Sequence, residues 1–209
     1  KILCKEDYLF LKGIDESDEN AIQIVNLTNI SQPVKDAQFK YSTLEILDFE
    51  IYENYMITSV YDEYNIRLVD ISNKNQPTPL DNVYATPYSH FCPLVVNDNL
   101  LFVYLGNLIS VFDLTNIPDL ELLYEISLDS TENDDLQRIT FYENYLVAIK
   151  RYNISIFDLN HPEDPPVSEI TFTPPGFNGY YFSLVDNDYF YVSFYSEIEE
   201  TTLAIYDLS

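Results

Sequence analysis

Short runs of apolar and aromatic residues follow one another along the whole chain, broken by Asn, Asp, Ser and Pro. Residues 44–52 (LEILDFEIY) read as a strand, and Glu53-Asn54 as a turn. Residues 55–61 (YMITSVY) read as a second strand, 62–65 as a turn, and 66–71 (IRLVDI) as a third. A polar, Pro-containing loop at 72–79 leads to a weaker fourth strand at 80–85. Runs of this length, rich in β-branched and aromatic residues and bounded by turn formers, predict strands. No stretch keeps a helical period over three turns.

The pattern recurs. Val25-Asn26-Leu27, Val69-Asp70-Ile71, Phe112-Asp113-Leu114, Phe157-Asp158-Leu159 and Tyr206-Asp207-Leu208 have middle residues 44, 43, 45 and 49 positions apart. Asp7-Tyr8-Leu9, Asn54-Tyr55-Met56, Asn99-Leu100-Leu101, Asn144-Tyr145-Leu146 and Asp188-Tyr189-Phe190 keep the same beat. Four strands in each period of roughly 45 residues predict a β-propeller of four-stranded blades, here called strands A to D. The fold class expected is therefore all-β, with five repeats in a single domain. The blades fall at about 1–42, 43–87, 88–135, 136–178 and 179–209. Strand B is the most apolar in most copies, as at 100–105 and 145–149, which suits a strand covered on both faces.

The recurring Asp precedes a loop rich in Ser, Thr, Asn and Pro. There its carboxylate can accept hydrogen bonds from loop N–H groups, as Asx turns do. Asn26 keeps the acceptor oxygen in the first copy. A residue repeated once per blade is a structural device and not a catalytic carboxylate.

Leu68-Val69-Asp70-Ile71-Ser72-Asn73 leading to Pro77 resembles the repeat of LVIVD propellers, as do Thr86-Pro87-Tyr88 and Thr173-Pro174-Pro175-Gly176 before strand A. The chain has only four glycines, so the resemblance is to a divergent member. It implies a bacterial or archaeal envelope or secreted protein, and carries no catalytic residues with it. The absence of Trp excludes Trp-Asp repeats and the repeats of quinone-dependent dehydrogenases.

Residues 2–4 read as the tail of a strand A, and the chain stops after a strand C. The ring is thus expected to be incomplete: part of a propeller of six to eight blades, or a five-bladed ring lacking terminal strands. Lys1 at the start and a single Met, Met56, suggest a processed or trimmed product.

Composition narrows the partners. The formal net charge is −25, with only ten Lys and Arg. Nucleic-acid phosphates need many cations, so nucleic acid is excluded as a partner, and no apolar run is long enough for direct membrane insertion. Apolar residues make up 46%, which separates the chain from disordered ones.

Candidate chemistry lies where the repeat is broken. Loops D–A and B–C share one face of a propeller, and A–B and C–D the other. Arg138, Lys150 and Arg151 form a basic island on the D–A/B–C face, near Tyr88, Tyr152, Tyr180 and Tyr181. Arg and Tyr are favoured anchors for a protein or carbohydrate partner. Acidic clusters occupy the same face. Asp15, Asp18 and Glu19 are calcium candidates, although they lack the EF-hand spacing, and no other metal or cofactor is expected. His90 and His161 fall on opposite faces, which argues against a shared metal. Cys4 and Cys92 are expected as free core residues. The sequons at Asn26, Asn29 and Asn153 matter only in a glycosylating pathway.

Three functions follow. The leading expectation is a non-catalytic, secreted or cell-surface binding or scaffold module for protein or glycan, hence not an enzyme. The first alternative is a carboxylate-dependent glycan hydrolase or lyase using Asp48, Glu50 and Glu45 of one strand A. The second is a subunit of a larger assembly joined by strand-edge pairing.

Overall fold

The structure is a computed structural model. It describes residues 1–14, 20–42, 44–61, 65–85, 93–105, 108–128, 136–150, 153–171, 177–186, 189–196 and 201–207. The described residues form nineteen strands and no helix, so no helix is long and apolar enough to cross a membrane.

The strands make five antiparallel sheets, each built from strands consecutive in the chain. The first holds β1 (Ile2–Lys5), β2 (Tyr8–Ile14), β3 (Asn20–Asn26) and β4 (Val34–Phe39). The second holds β5 (Ile46–Tyr52), β6 (Tyr55–Val60), β7 (Asn65–Asp70) and β8 (Thr78–Ala85). The third holds β9 (Leu94–Asn97), β10 (Leu100–Leu105), β11 (Leu108–Asp113) and β12 (Glu121–Ser127). The fourth holds β13 (Leu136–Tyr142), β14 (Tyr145–Lys150), β15 (Asn153–Asp158) and β16 (Ser168–Thr171). The fifth has three strands among the described residues: β17 (Phe177–Asp186), β18 (Tyr189–Ser196) and β19 (Thr201–Asp207). The chain divides into two compact units, Lys1–Tyr124 and Glu125–Ser209.

In the first unit the sheets pack face to face. One core joins Phe10, Ile22 and Ile24 of the first sheet to Ile46, Phe49, Met56 and Val69 of the second. The next core joins Ile57, Ile66 and Leu68 of the second sheet to Leu101, Val103 and Phe112 of the third. Successive residues of β6 therefore serve different cores, Met56 one and Ile57 the other. That is the physical reason β6 is buried on both faces. β6, β10 and β14 each bury five consecutive residues.

The first strands of successive sheets lie against one another: β1 on β5 and β5 on β9 in the first unit, β13 on β17 in the second. Cys4 is exposed, so the expectation of a core thiol is corrected. In β1 it alternates with Leu3, which packs on the core between the first two sheets and turns Cys4 away from it.

Two bonds explain why two patterns share one period. The carboxylate or amide oxygen of Asn26, Asp70, Asp113 and Asp158 accepts from the N–H two residues on, at 2.9, 2.8, 2.7 and 2.9 Å. Each is an Asx turn, as the sequence predicts. The residue after it, Leu27, Ile71, Leu114 or Leu159, donates its N–H to the carbonyl of Asp7, Asn54, Asn99 or Asn144, at 2.7–2.9 Å. The A–B turn is thereby clamped to the start of the C–D loop. The residues before those turn Asn and Asp positions, Glu6, Glu53, Asp98 and Glu143, all have φ between 48° and 53°. Glycine is the usual residue there. The scarcity of glycine does not remove the left-handed turn; it leaves the turn to be held by the clamp.

Asp113 accepts from both the N–H and the Oγ1 of Thr115, at 2.7 and 2.9 Å. Asp113→Ala should destabilise the chain by ~1–2 kcal/mol in urea unfolding, while Asp113→Asn should recover at least half of that. Equal loss in both variants would show that the carboxylate acts through its charge and not as an acceptor.

Candidate functional site

The best-defined polar cluster lies where the first strands of the first three sheets meet. In β5 the pairing with β6 shifts between Ile46 and Asp48, leaving Leu47 as an extra residue. A bulge of this kind re-aims the side chains that follow it. Ile46 and Phe49 both enter the core between the first two sheets. Asp48 and Glu50 consequently share the opposite face of the strand. Lys12 of β2 donates to the Leu47 carbonyl at 2.6 Å and pins the bulge from the neighbouring sheet.

Lys1 joins the two carboxylates. Its Nζ lies 3.1 Å from Asp48 Oδ1 and 2.6 Å from Glu50 Oε1. It also donates to the Leu94 carbonyl of β9 at 3.2 Å. Asp48 Oδ2 accepts from the Leu94 N–H at 2.9 Å, and Asp48 Oδ1 from the Phe49 N–H at 2.9 Å. One ammonium and one carboxylate thus tie β1, β5 and β9 together. An ammonium has three donors, and Lys1 directs them to Asp48, Glu50 and Leu94.

The two carboxylates differ in their surroundings. Asp48 is fixed by two backbone amides and the ammonium. Burial pushes the Glu50 carboxyl above its usual 4.5, and the Lys1 ammonium only partly offsets that effect. Glu50 keeps 14% of its side chain exposed, so water reaches it. A buried carboxyl with a raised pKa beside a carboxyl fixed by hydrogen bonds is an arrangement that can separate proton-transfer and structural roles.

The shift carries a sign. Because the folded pKa lies above the unfolded one, Glu50's stabilising contribution is complete below about pH 4.5 and is lost as pH rises through the folded value. The stability of wild type relative to Glu50→Gln should therefore fall as pH increases from 4 to 7. Urea midpoints across that range check it, and a constant difference would contradict the shift.

Of the other residues singled out above, Glu45 lies outside this group. It precedes β5, is exposed, and accepts from Asn20 Nδ2 at 2.9 Å. Arg138 is exposed on β13 opposite Ile149. Lys150 is 1% exposed and engaged within the structure, which corrects its reading as a surface anchor. Tyr180 and Tyr181 lie in β17 at a second bulge, with their side chains outside the described residues. Tyr88, Tyr152, Arg151, Asp15, Asp18, Glu19, His90 and Cys92 also lie outside the described residues. Among the described residues no group of three His, Cys, Asp or Glu side chains is placed to hold a metal ion.

Sequence reasoning reached Asp48 and Glu50 but missed Lys1. The signal was present. Counting six residues back from the turn positions Asp7, Asn54, Asn99, Asn144 and Asp188 gives Lys1, Asp48, Pro93, Arg138 and Phe182. Lys1, immediately before β1, thus holds the register that Asp48 holds in β5 and Arg138 in β13.

No family model matches the chain, and no curated protein sequence matches it. The LVIVD reading therefore remains a resemblance of repeat motifs. Solved structures do match. A 6-phosphogluconolactonase-like protein of Bacteroides uniformis superposes with a TM-score of 0.68 at 15% identity, over 99% of this chain and 71% of that one. The periplasmic gluconolactonase PpgL of Pseudomonas aeruginosa gives 0.65 at 10% identity, over 97% and 71%. The WD40 domain of Neurospora crassa Pan2 gives 0.62 at 10% identity, over 99% and 61%. At these identities the likeness shows the fold: the chain is a β-propeller. The expectation that it is not an enzyme is corrected by the same likenesses. Two of these three matching structures are of lactonase kind, so the fold the chain shares is one on which catalysis is carried out.

Proposed function

We propose that the chain is a propeller hydrolase that opens a small sugar lactone, with Glu50 as its proton-transfer group. The observation that carries this reading is Glu50 itself: a partly reachable carboxyl with a raised pKa, beside a fixed Asp48, on the first strand of a blade. The lactonase names of two solved structures support the substrate class. In the reaction, water attacks the lactone carbonyl carbon and Glu50 takes the water's proton. The acyl C–O bond then breaks, and the ring oxygen receives that proton, leaving an open-chain hydroxy acid. A base is most effective when its pKa approaches the working pH, and burial moves Glu50 in that direction. Lys1 and Asp48 hold Glu50 in place. Export to the cell envelope accords with the periplasmic origin of PpgL.

The test is a pH-stat assay with glucono-1,5-lactone against a buffer blank. Acceleration should decline on the acid side with an apparent pKa above 4.5. A rate equal to the blank at every pH would reject the reading.

A further inference from the structure

We infer that this site, on the lactonase reading above, accepts an uncharged polyhydroxylated lactone and rejects its phosphorylated counterpart. A phosphate monoester carries about −1.5 to −2 charges at neutral pH. Recognising it takes N–H donors and cations that are free to turn toward it. At this site the nearby cation is already committed. Lys1 directs its three donors to Asp48, Glu50 and the Leu94 carbonyl. Among the described residues, the charges that act on Glu50 are the Lys1 ammonium and the Asp48 carboxylate. With Glu50 ionised, as its role as base requires, the cluster carries two negative charges against one positive.

Lys12 does not reverse this, because it is bonded to the Leu47 carbonyl at 2.6 Å. Lys5 lies at the far end of β1, roughly 13 Å along the strand from Lys1 at about 3.3 Å per residue. The whole chain adds a formal charge of −25, which lowers the local concentration of any anion. A neutral lactone meets none of this repulsion, and its hydroxyls can donate to the carboxylates.

The experiment compares kcat/KM for glucono-1,5-lactone and its 6-phosphate at about 20 mM and about 300 mM ionic strength. The inference predicts at least a ~10-fold preference for the neutral lactone at low salt, narrowing at high salt as screening shortens the reach of the repulsion. The neutral rate should stay constant. Equal or better turnover of the phosphorylated lactone overturns the inference and leaves the lactonase reading standing. So does a preference that ignores salt. If neither lactone is hydrolysed, the lactonase reading fails, and calorimetry with glucose and glucose 6-phosphate decides the inference. Binding of glucose alone supports it. Binding of glucose 6-phosphate, or of neither, overturns it.

Discussion

Glu50→Gln should lower kcat/KM for lactone hydrolysis by ~10²–10⁴-fold while the chain stays folded, the range that a positioned general base contributes. Glutamine keeps the shape of the side chain and an oxygen that can accept from Lys1, now 2.6 Å from Glu50. It cannot take a proton from water. Circular dichroism and the urea midpoint should place the variant within ~1 kcal/mol of wild type at neutral pH, since one charge-assisted bond becomes an ordinary one. A drop in rate with an intact fold assigns Glu50 to chemistry. An unchanged rate removes it from the mechanism, whatever else the protein does.

The second large effect concerns stability. Asp48→Ala should destabilise the chain by ~2–4 kcal/mol, because it leaves two buried amides without their acceptor and takes one of three partners from the Lys1 ammonium. The Leu94 and Phe49 N–H groups each lose a 2.9 Å bond, and Lys1 loses the partner that fixes it beside Glu50. Asp48 is 9% exposed, so water replaces these bonds poorly. Asp48→Asn keeps one acceptor oxygen and should fall between wild type and Asp48→Ala. Urea midpoints of the three proteins give the order. A loss under ~1 kcal/mol for Asp48→Ala would mean that apolar packing between the sheets, and not this cluster, holds β1, β5 and β9 together.

The blades were legible because their cause is local and repeated. β6, β10 and β14 are buried on both faces, and Met56 and Ile57 show why by entering different cores. The Asp or Asn at the end of the third strand offers an acceptor to the loop that follows in four sheets of the described residues, and the motif that supplies it recurs along the sequence. The site was only half legible. Asp48 and Glu50 could be placed on one face of one strand by alternation, but the bulge at Leu47, which turns Ile46 into the core beside Phe49 and away from that face, is announced by no residue type. Lys1 lies 47 residues from Asp48 in the chain and reaches it only because successive sheets stack. The register count from the turn residues would have paired the two, since repeat proteins bring equivalent positions side by side. Lys150 misled for the opposite reason. Its charge suggested the surface, yet it ends a strand whose preceding four residues are buried, and it is buried with them.

On the function proposed above, the Lys1–Asp48–Glu50 cluster of this β-propeller hydrolyses a lactone. The most direct measurement is the rate of glucono-1,5-lactone opening by wild type and by Glu50→Gln, each with the buffer rate subtracted. The account predicts a clear enzymatic rate for wild type and a residual rate at least ~100-fold lower for the variant. No rate above buffer for wild type, or equal rates for the two proteins, would contradict it.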